Sequence, residues 1–288
     1  KLGMNPIDAI SIASRNCFDY YKMGSDFGGI GPGKVADILI LDDYKKIKIN
    51  KVILCGKIVV SNGKLIVKIH APKVPTWMKK TVKIPKLQPK SFNVTSKNNV
   101  ETVNTILMRT EIVTKKSSAD LDVTNSNVSA SYDKDIWKVA ALDRTFGSKT
   151  KTVGFLENFG ADIGAFASTW SFHENDMIVI GSNESDMADA CNKLTKSQGG
   201  LIVVKDGKTL ASLPFQLGGI LSTDPIDKVT KNLAKINDVL SDSGCKFKKP
   251  HLMPLFLPFL ALPDIRILYS GIVDVKSRQF IPTIQTNL

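Results

Sequence analysis

Along the first hundred residues the spacing of apolar positions changes twice. Ile7, Ile10, Ala13 or Ser14, and Cys17 or Phe18 recur every three to four residues, the spacing of one helix face. Asn5-Pro6-Ile7-Asp8 supplies a capping side chain, a proline at the first helical position and an acid in the first turn. A helix is therefore predicted over 6–20, ended by Tyr20 and Tyr21, with Gly24 releasing the chain. Strand-like runs follow at 36–41, 51–55 and 57–60, and Asn62-Gly63 is a strong hairpin turn into 64–69. Residues 71–100 are rich in Pro, Lys, Ser and Asn with weak periodicity, and read as a linker.

Beyond that stretch, 106–113 and 136–141 read as strands. Residues 154–168 are dotted with Gly160 and Gly164, which suggests close backbone approach or a packed, irregular connection. A short buried strand is expected at 177–180. Asn183 then caps a helix whose inner stripe is Met187, Ala190, Cys191 and Leu194, terminated by Gly199-Gly200. Residues 201–204 and 209–213 flank the Asp206-Gly207 turn as a hairpin. Asp224-Pro225 opens a long helix with Ile226, Val229, Leu233, Ile236 and Leu240 inside, stopped near Gly244. This succession is an α/β and α+β pattern, a mixed sheet covered by helices.

With 288 residues and 43% hydrophobic residues, the chain is long enough for one large core or two smaller ones. The net charge of +12 raises nucleic acid as a partner, yet only five of the 39 basic residues are arginine, the residue favoured for base readout. Lys79, Lys80, Lys83, Lys86 and Lys90 are interleaved with prolines and lack aromatic platforms, so a solvated surface is expected and no nucleic-acid partner. Cys17, Cys55, Cys191 and Cys245 form no CxxC and fit buried free thiols in a reducing, cytoplasmic compartment. The longest apolar run, 252–262, is broken by Pro254 and Pro258 and falls short of the roughly 20 residues that span a bilayer, so no membrane partner is expected.

Candidate chemistry is sparse. Gly28-Gly29-Ile30-Gly31-Pro32-Gly33-Lys34 looks superficially like a phosphate loop, but Val35 stands where Ser or Thr is needed and the strand follows the glycines, so it reads as a turn. Asp37, in an apolar run, reads as a hydrogen-bonded structural acid. His70, His173 and His251 form no ligand pair, and no metal site is expected within this chain. The most suggestive polar group is His173-Glu174-Asn175-Asp176, directly before an apolar strand. His173, Glu174 and Asp176 are the candidate site residues, against the alternative of a structurally capped loop.

Several blocks resemble a known family. NPIDAISIASRNCFDYY, GGIGPGKVADILILDD and VILCGKIVVSNGK look like the end of an amidohydrolase barrel and its return into a small β-domain. VGFLENFGADIGAFAST, IVIGSNESDMADACNKLTKSQGGLIVVKDGKTLASLPFQLGGILS and HLMPLFLPFLALPDIRILYSGIVDV resemble the adenine deaminase family more narrowly. The resemblance implies that 1–45 hold the last barrel helix and a return strand, 46–70 hairpins of the small β-domain, 71–100 a linker, and 101–288 the family's C-terminal domain. It implies a hydrolase of purine metabolism converting adenine and water to hypoxanthine and ammonia. A divalent metal (manganese, iron or zinc) would sit in an upstream barrel outside this chain, with a carboxylate shuttling protons. It further implies the upstream barrel of the same protein as partner, a purine-like substrate and a homo-oligomer. The fragment alone would be inactive and, with its barrel-closing apolar stripe bared, prone to self-association. One departure stands out. The family commonly carries His-Asp-Ser-His-Asn before the strand at 177–180, where this chain has Phe172, His173, Glu174, Asn175 and Asp176. That is the mark of a divergent paralogue. A hydrolase of another cyclic amidine or amide, and a non-catalytic ligand-binding or assembly domain, are the alternatives.

Overall fold

A computed structural model describes residues 3–68, 73–172, 174 and 176–285. The chain divides into two compact units, Lys1–Lys73 and Val74–Leu288.

In the first unit, α1 (Pro6–Ala13) starts where the sequence places it: the Asn5 side chain accepts from the Ile7 N–H and proline occupies the first turn. The expected single helix is broken at Ser14, whose backbone (φ −131°, ψ −92°) is not helical, and it resumes as α2 (Arg15–Tyr20). Four antiparallel strands follow in sequential order, β1 (Ile38–Asp43), β2 (Lys48–Leu54), β3 (Lys57–Ser61) and β4 (Lys64–Leu65). Asn62-Gly63 makes the last turn with both φ angles positive (51° and 70°), as a primed hairpin turn requires. Lys34 turns back to hydrogen-bond the Gly24 carbonyl, and Asp37 Oδ1 accepts from the Cys55 N–H at 2.7 Å, so both are structural. No described residue of this unit is buried. Cys17 and Cys55 are exposed, contrary to the expectation of buried thiols, which holds for Cys191 and Cys245.

The second unit is built on a nine-stranded mixed sheet. Its strands are β5 (Val100–Met108), β6 (Thr114–Thr124), β7 (Asn127–Val128), β8 (Ile136–Leu142), β9 (Lys151–Glu157), β10 (Ala165–Ser168), β11 (Met177–Gly181), β12 (Gly200–Lys205) and β13 (Lys208–Pro214). The spatial order is β13-β12-β10-β11-β8-β9-β5-β6-β7, with β5 and β9 parallel and the other pairs antiparallel. No sheet of the described residues closes into a barrel.

Both faces of the central strands are buried, and alternation divides them. Trp137, Val139, Ala141, Ile178, Ile180, Leu201 and Val203 share one core, with Ile236 and Leu240 of α4 (Ile226–Asp242) and Met253 of α5 (Met253–Phe256). Ala140, Leu142, Met177, Val179, Ile202 and Val204 share the opposite core with Met187, Ala190, Cys191 and Leu194 of α3 (Glu184–Ser197), the stripe read from the sequence. Each such buried Val, Leu, Ile or Met side chain contributes roughly 1.5–3 kcal/mol. Three short strands, β14 (Ile265–Leu268), β15 (Gly271–Asp274) and β16 (Gln279–Ile281), form a separate sheet whose Ile265, Ile267 and Ile272 join the first core. Part of the stretch read as a linker is core. Val82, Ile84, Leu87 and Phe92 pack with α3, and Asn192 holds Leu87 through hydrogen bonds to its N–H and carbonyl. Ile226, expected inside α4, is exposed, while Val229 and Leu233 are half-buried.

Candidate functional site

The C-terminal end of β8 delivers Asp143 and Arg144 beside the loop that joins β10 to β11. Asp143 closes its own loop: Oδ1 accepts from the Thr145 and Phe146 N–H groups and Oδ2 from Ser148, each at 2.9 Å. Burial pushes this carboxyl up, but those hydrogen bonds together outweigh it and hold it below the ordinary range. Arg144 is 2% exposed and donates from Nη1 to the Gly218 carbonyl at 3.0 Å. Burial pulls its guanidinium down to about 10, against the field of Asp176. A Cβ on Gly219 would lie 2.7 Å from Nη1, and its φ of 73° is the left-handed region, so space and backbone both require glycine there.

The β10–β11 loop is pinned at its start. Thr169 Oγ1 donates to the Gly219 carbonyl at 2.6 Å and accepts from the Gly200 N–H at 2.7 Å. Trp170 stacks on His251 (centroids 6.2 Å apart, planes 5° apart), and Phe172 packs against Phe256 and Phe259 at 5.2 Å each. His251 is buried, with Nδ1 2.7 Å from Asn237 Oδ1, and burial lowers its proton affinity, so it is a neutral packing residue.

Of the sequence candidates, His173 lies outside the described residues. Glu174 is half-buried, and its N–H reaches the Phe172 carbonyl at 2.6 Å. Asp176 is 1% exposed: Oδ2 accepts from the Tyr269 N–H at 2.9 Å, while Oδ1 has no hydrogen-bond partner among the described residues. Burial raises its pKa to about 7. The Tyr269 hydrogen bond opposes the rise, Glu174 and Asp143 reinforce it, and Arg144 opposes it. Near neutral pH, a carboxyl in this state can hold a proton or accept a hydrogen bond. The structure thus brings Asp176 together with Asp143, Arg144 and the Tyr269 turn. Sequence reasoning missed Asp143 and Arg144, although a rare arginine next to an acid at the end of an apolar strand is a usable signal. Among the described residues, no three His, Cys, Asp or Glu side chains converge as a metal site. Both Asp143 oxygens and one of Asp176 are committed to backbone N–H groups, and Asp176 is set against the buried Arg144, a donor set that does not fit a metal.

The sequence profile described as the adenine deaminase C-terminal domain matches residues 111–279, more than half of the chain and all of this site. The chain belongs to the adenine deaminase family. It is 52% identical to an adenine deaminase of Cenarchaeum symbiosum (strain A) over 99% of its own length and 47% of that protein. It is 33% identical to one of Desulforamulus reducens over 98% of its length and 48% of the relative, and 30% identical to one of Clostridium botulinum over 97% and 47%. The chain therefore spans about half the length of the adenine deaminases it matches. No described helix is long and apolar enough to cross a membrane.

Proposed function

We propose that this chain is the C-terminal part of a hydrolase that converts adenine and water to hypoxanthine and ammonia, its divalent metal held by residues outside the chain. The observation that carries the reading is the match to adenine deaminases over nearly the whole chain. In this reading α1 and α2 are the last barrel helix, β1–β4 belong to the small β-domain, and the upstream barrel of the same protein is the partner. The fragment is inactive alone, and the complete protein is a cytoplasmic homo-oligomer. His173, Glu174 and Asp176 then stand at the mouth of the active site. Asp176, poised to carry a proton near neutral pH, serves the proton traffic that turns the amine into a leaving group. One observation favours a second reading, a related ring amidine or amide as substrate: Phe172, where the family commonly has histidine, is turned into an aromatic cluster with Phe256 and Phe259.

The test is ammonia release from adenine by the polypeptide that joins this chain to the half its relatives carry, metal-loaded and checked for metal content. Metal-dependent release is expected, with Asp176→Asn lowering kcat/KM about tenfold and altering its pH profile. Silence from a folded, metal-filled protein would overturn adenine as substrate. An Asp176→Asn variant with unchanged kinetics at every pH would remove that residue from the site.

A further inference from the structure

Among the described residues, the nine-stranded sheet ends at β13, which pairs with β12 on one side and with no strand on the other. Alternate residues of such an edge turn their backbone N–H and C=O groups outward. Beside this edge runs α4, and the two enclose a cleft of about 340 Å³ lined by Thr209, Leu210, Ser212, Lys228, Asn232 and Lys235, among others. Strand residues of both parities, Leu210 and Ser212 as well as Thr209 and Ala211, reach the cleft. Thr209, Leu210 and Ala211 reach it together because a register shift leaves Leu210 as an extra residue between the partners of Val204 and Val203, and α4 forms the opposite wall. The register shift at Val203/Val204 and the exposed Lys208 guard the start of β13, whereas 211–213 carry no such guard before Pro214. A strand edge walled by a helix is the shape that receives an added strand.

We propose that this cleft binds an extended, acidic polypeptide segment that adds a strand to β13. Backbone pairing along β13 supplies the shared part of the recognition, and charge on the helix wall selects the sequence. Lys228 and Lys235 are exposed on α4, and being seven residues apart they lie about 10 Å apart along the axis. An added strand turns every second side chain toward that wall at steps of about 7 Å, so an acid at one of these positions meets Lys235. The cleft's own acid, Asp224, is already paired with Lys228 at 3.0 Å and leaves Lys235 for the incoming segment. A second copy of β13 would instead bring another Lys208 and face these lysines with its own, so charge favours an acidic partner over self-pairing. This inference does not depend on the adenine reading.

The probe is a fluorescent, end-capped octapeptide alternating Glu and Val, titrated into the full 288-residue chain and followed by anisotropy. Saturable binding is expected, with slowed hydrogen exchange confined to β13. Methylation of alternate backbone nitrogens on one edge of the peptide should abolish it, and Lys235→Glu should weaken it roughly tenfold or more while leaving the thermal midpoint unchanged. A Lys-Val peptide should bind less well than the Glu-Val peptide to the unaltered chain and better to Lys235→Glu. Absence of binding up to millimolar peptide overturns the proposal. So does binding that survives N-methylation, or slowed exchange in β13 that follows chain concentration without peptide, which would assign the edge to a second copy.

Discussion

Lys138 and Asp176 are both about 1% exposed, yet the fold satisfies them to different degrees. Lys138 spends its three donors on the Phe92 carbonyl (3.1 Å), Asn127 Oδ1 (2.9 Å) and Glu184 Oε1 (2.6 Å), tying β8 to a 3₁₀ turn, β7 and the first turn of α3. Burial pulls its ammonium down, and Glu184, bonded to it, is held below the carboxylate range despite its own burial. Asp176 receives one backbone hydrogen bond and has one oxygen with no partner among the described residues. Its pKa rises from 3.8 to about 7, so folding favours the protonated form. The stability this contributes is complete below pH 3.8 and is lost as pH climbs through about 7. The gap corresponds to as much as about 4 kcal/mol, an upper figure because water can relax the site. Asp176→Asn is therefore expected to be less stable relative to the unaltered chain at pH 5 than at pH 8.5, the difference appearing in urea midpoints. Equal differences at both pH values would mean that Asp176 titrates as an ordinary exposed acid.

At the scale of elements, the start of α3 shows how side chains and glycines are matched. Asn183 accepts from the Asp186 N–H at 2.8 Å, and the 3%-exposed Asp186 carboxylate turns outward from the helix to accept from Asp206 (3.0 Å) and Gly207 (2.8 Å) in the β12–β13 turn. That carboxylate fills the space over Gly164, where a Cβ would lie 1.7 Å from Oδ2. Gly164→Ala should cost about 3 kcal/mol or more, since neither the backbone nor the anchored acid can give way cheaply. Asp186→Ala alone should lose about 1–3 kcal/mol from two unsatisfied N–H groups. The double variant should cost less than the sum, and strict additivity in a denaturation cycle would show that the two do not share this space. The close approach at Gly164 was legible as a glycine-dotted stretch, but the strands β9 and β10 within that stretch were not, because strands covered on both faces lack polar alternation. Elements with a cap, a stripe and a terminator, such as α3, and hairpins with Asn-Gly or Asp-Gly turns were read correctly. The run 106–113 was misplaced: β5 ends at Met108, and the chain turns through 109–113 into β6, whose Lys, Ser and Asp residues carry little strand propensity and owe their place to pairing with β5. Of the site, Glu174 and Asp176 were legible as polar residues before a buried strand. Arg144 and the Tyr269 turn were not, because 32 residues and 93 residues of chain separate them from Asp176 and only the sheet order brings them close.

The two units also differ in how far each can stand on its own burial. The second unit has cores on both faces of its large sheet, bracketed by α3 on one side and by α4, α5 and the three-stranded sheet on the other. The first presents Ile7, Ile12, Leu39, Ile40, Ile49 and Ile58 among its exposed large hydrophobics and has no buried residue among those described. Between its helices and strands lies an open apolar cleft of about 530 Å³ lined by Ile10, Phe18, Phe27, Ile38 and Leu41, among others. Conformational entropy costs about 1–2 kcal/mol per ordered residue, and a unit that removes so little apolar area from water cannot offset it. Lys1–Lys73 prepared alone is therefore expected to give narrow amide dispersion and no cooperative thermal transition. Val74–Leu288 alone should unfold cooperatively, with a midpoint within a few degrees of the same unit in the whole chain. If the first unit instead melts as a stable cooperative domain, its apolar cleft is ordinary surface and the proposed barrel partner loses its physical support. If the second unit fails to fold, its two cores depend on residues before Val74, and the division of the chain at that point does not describe independent folding units.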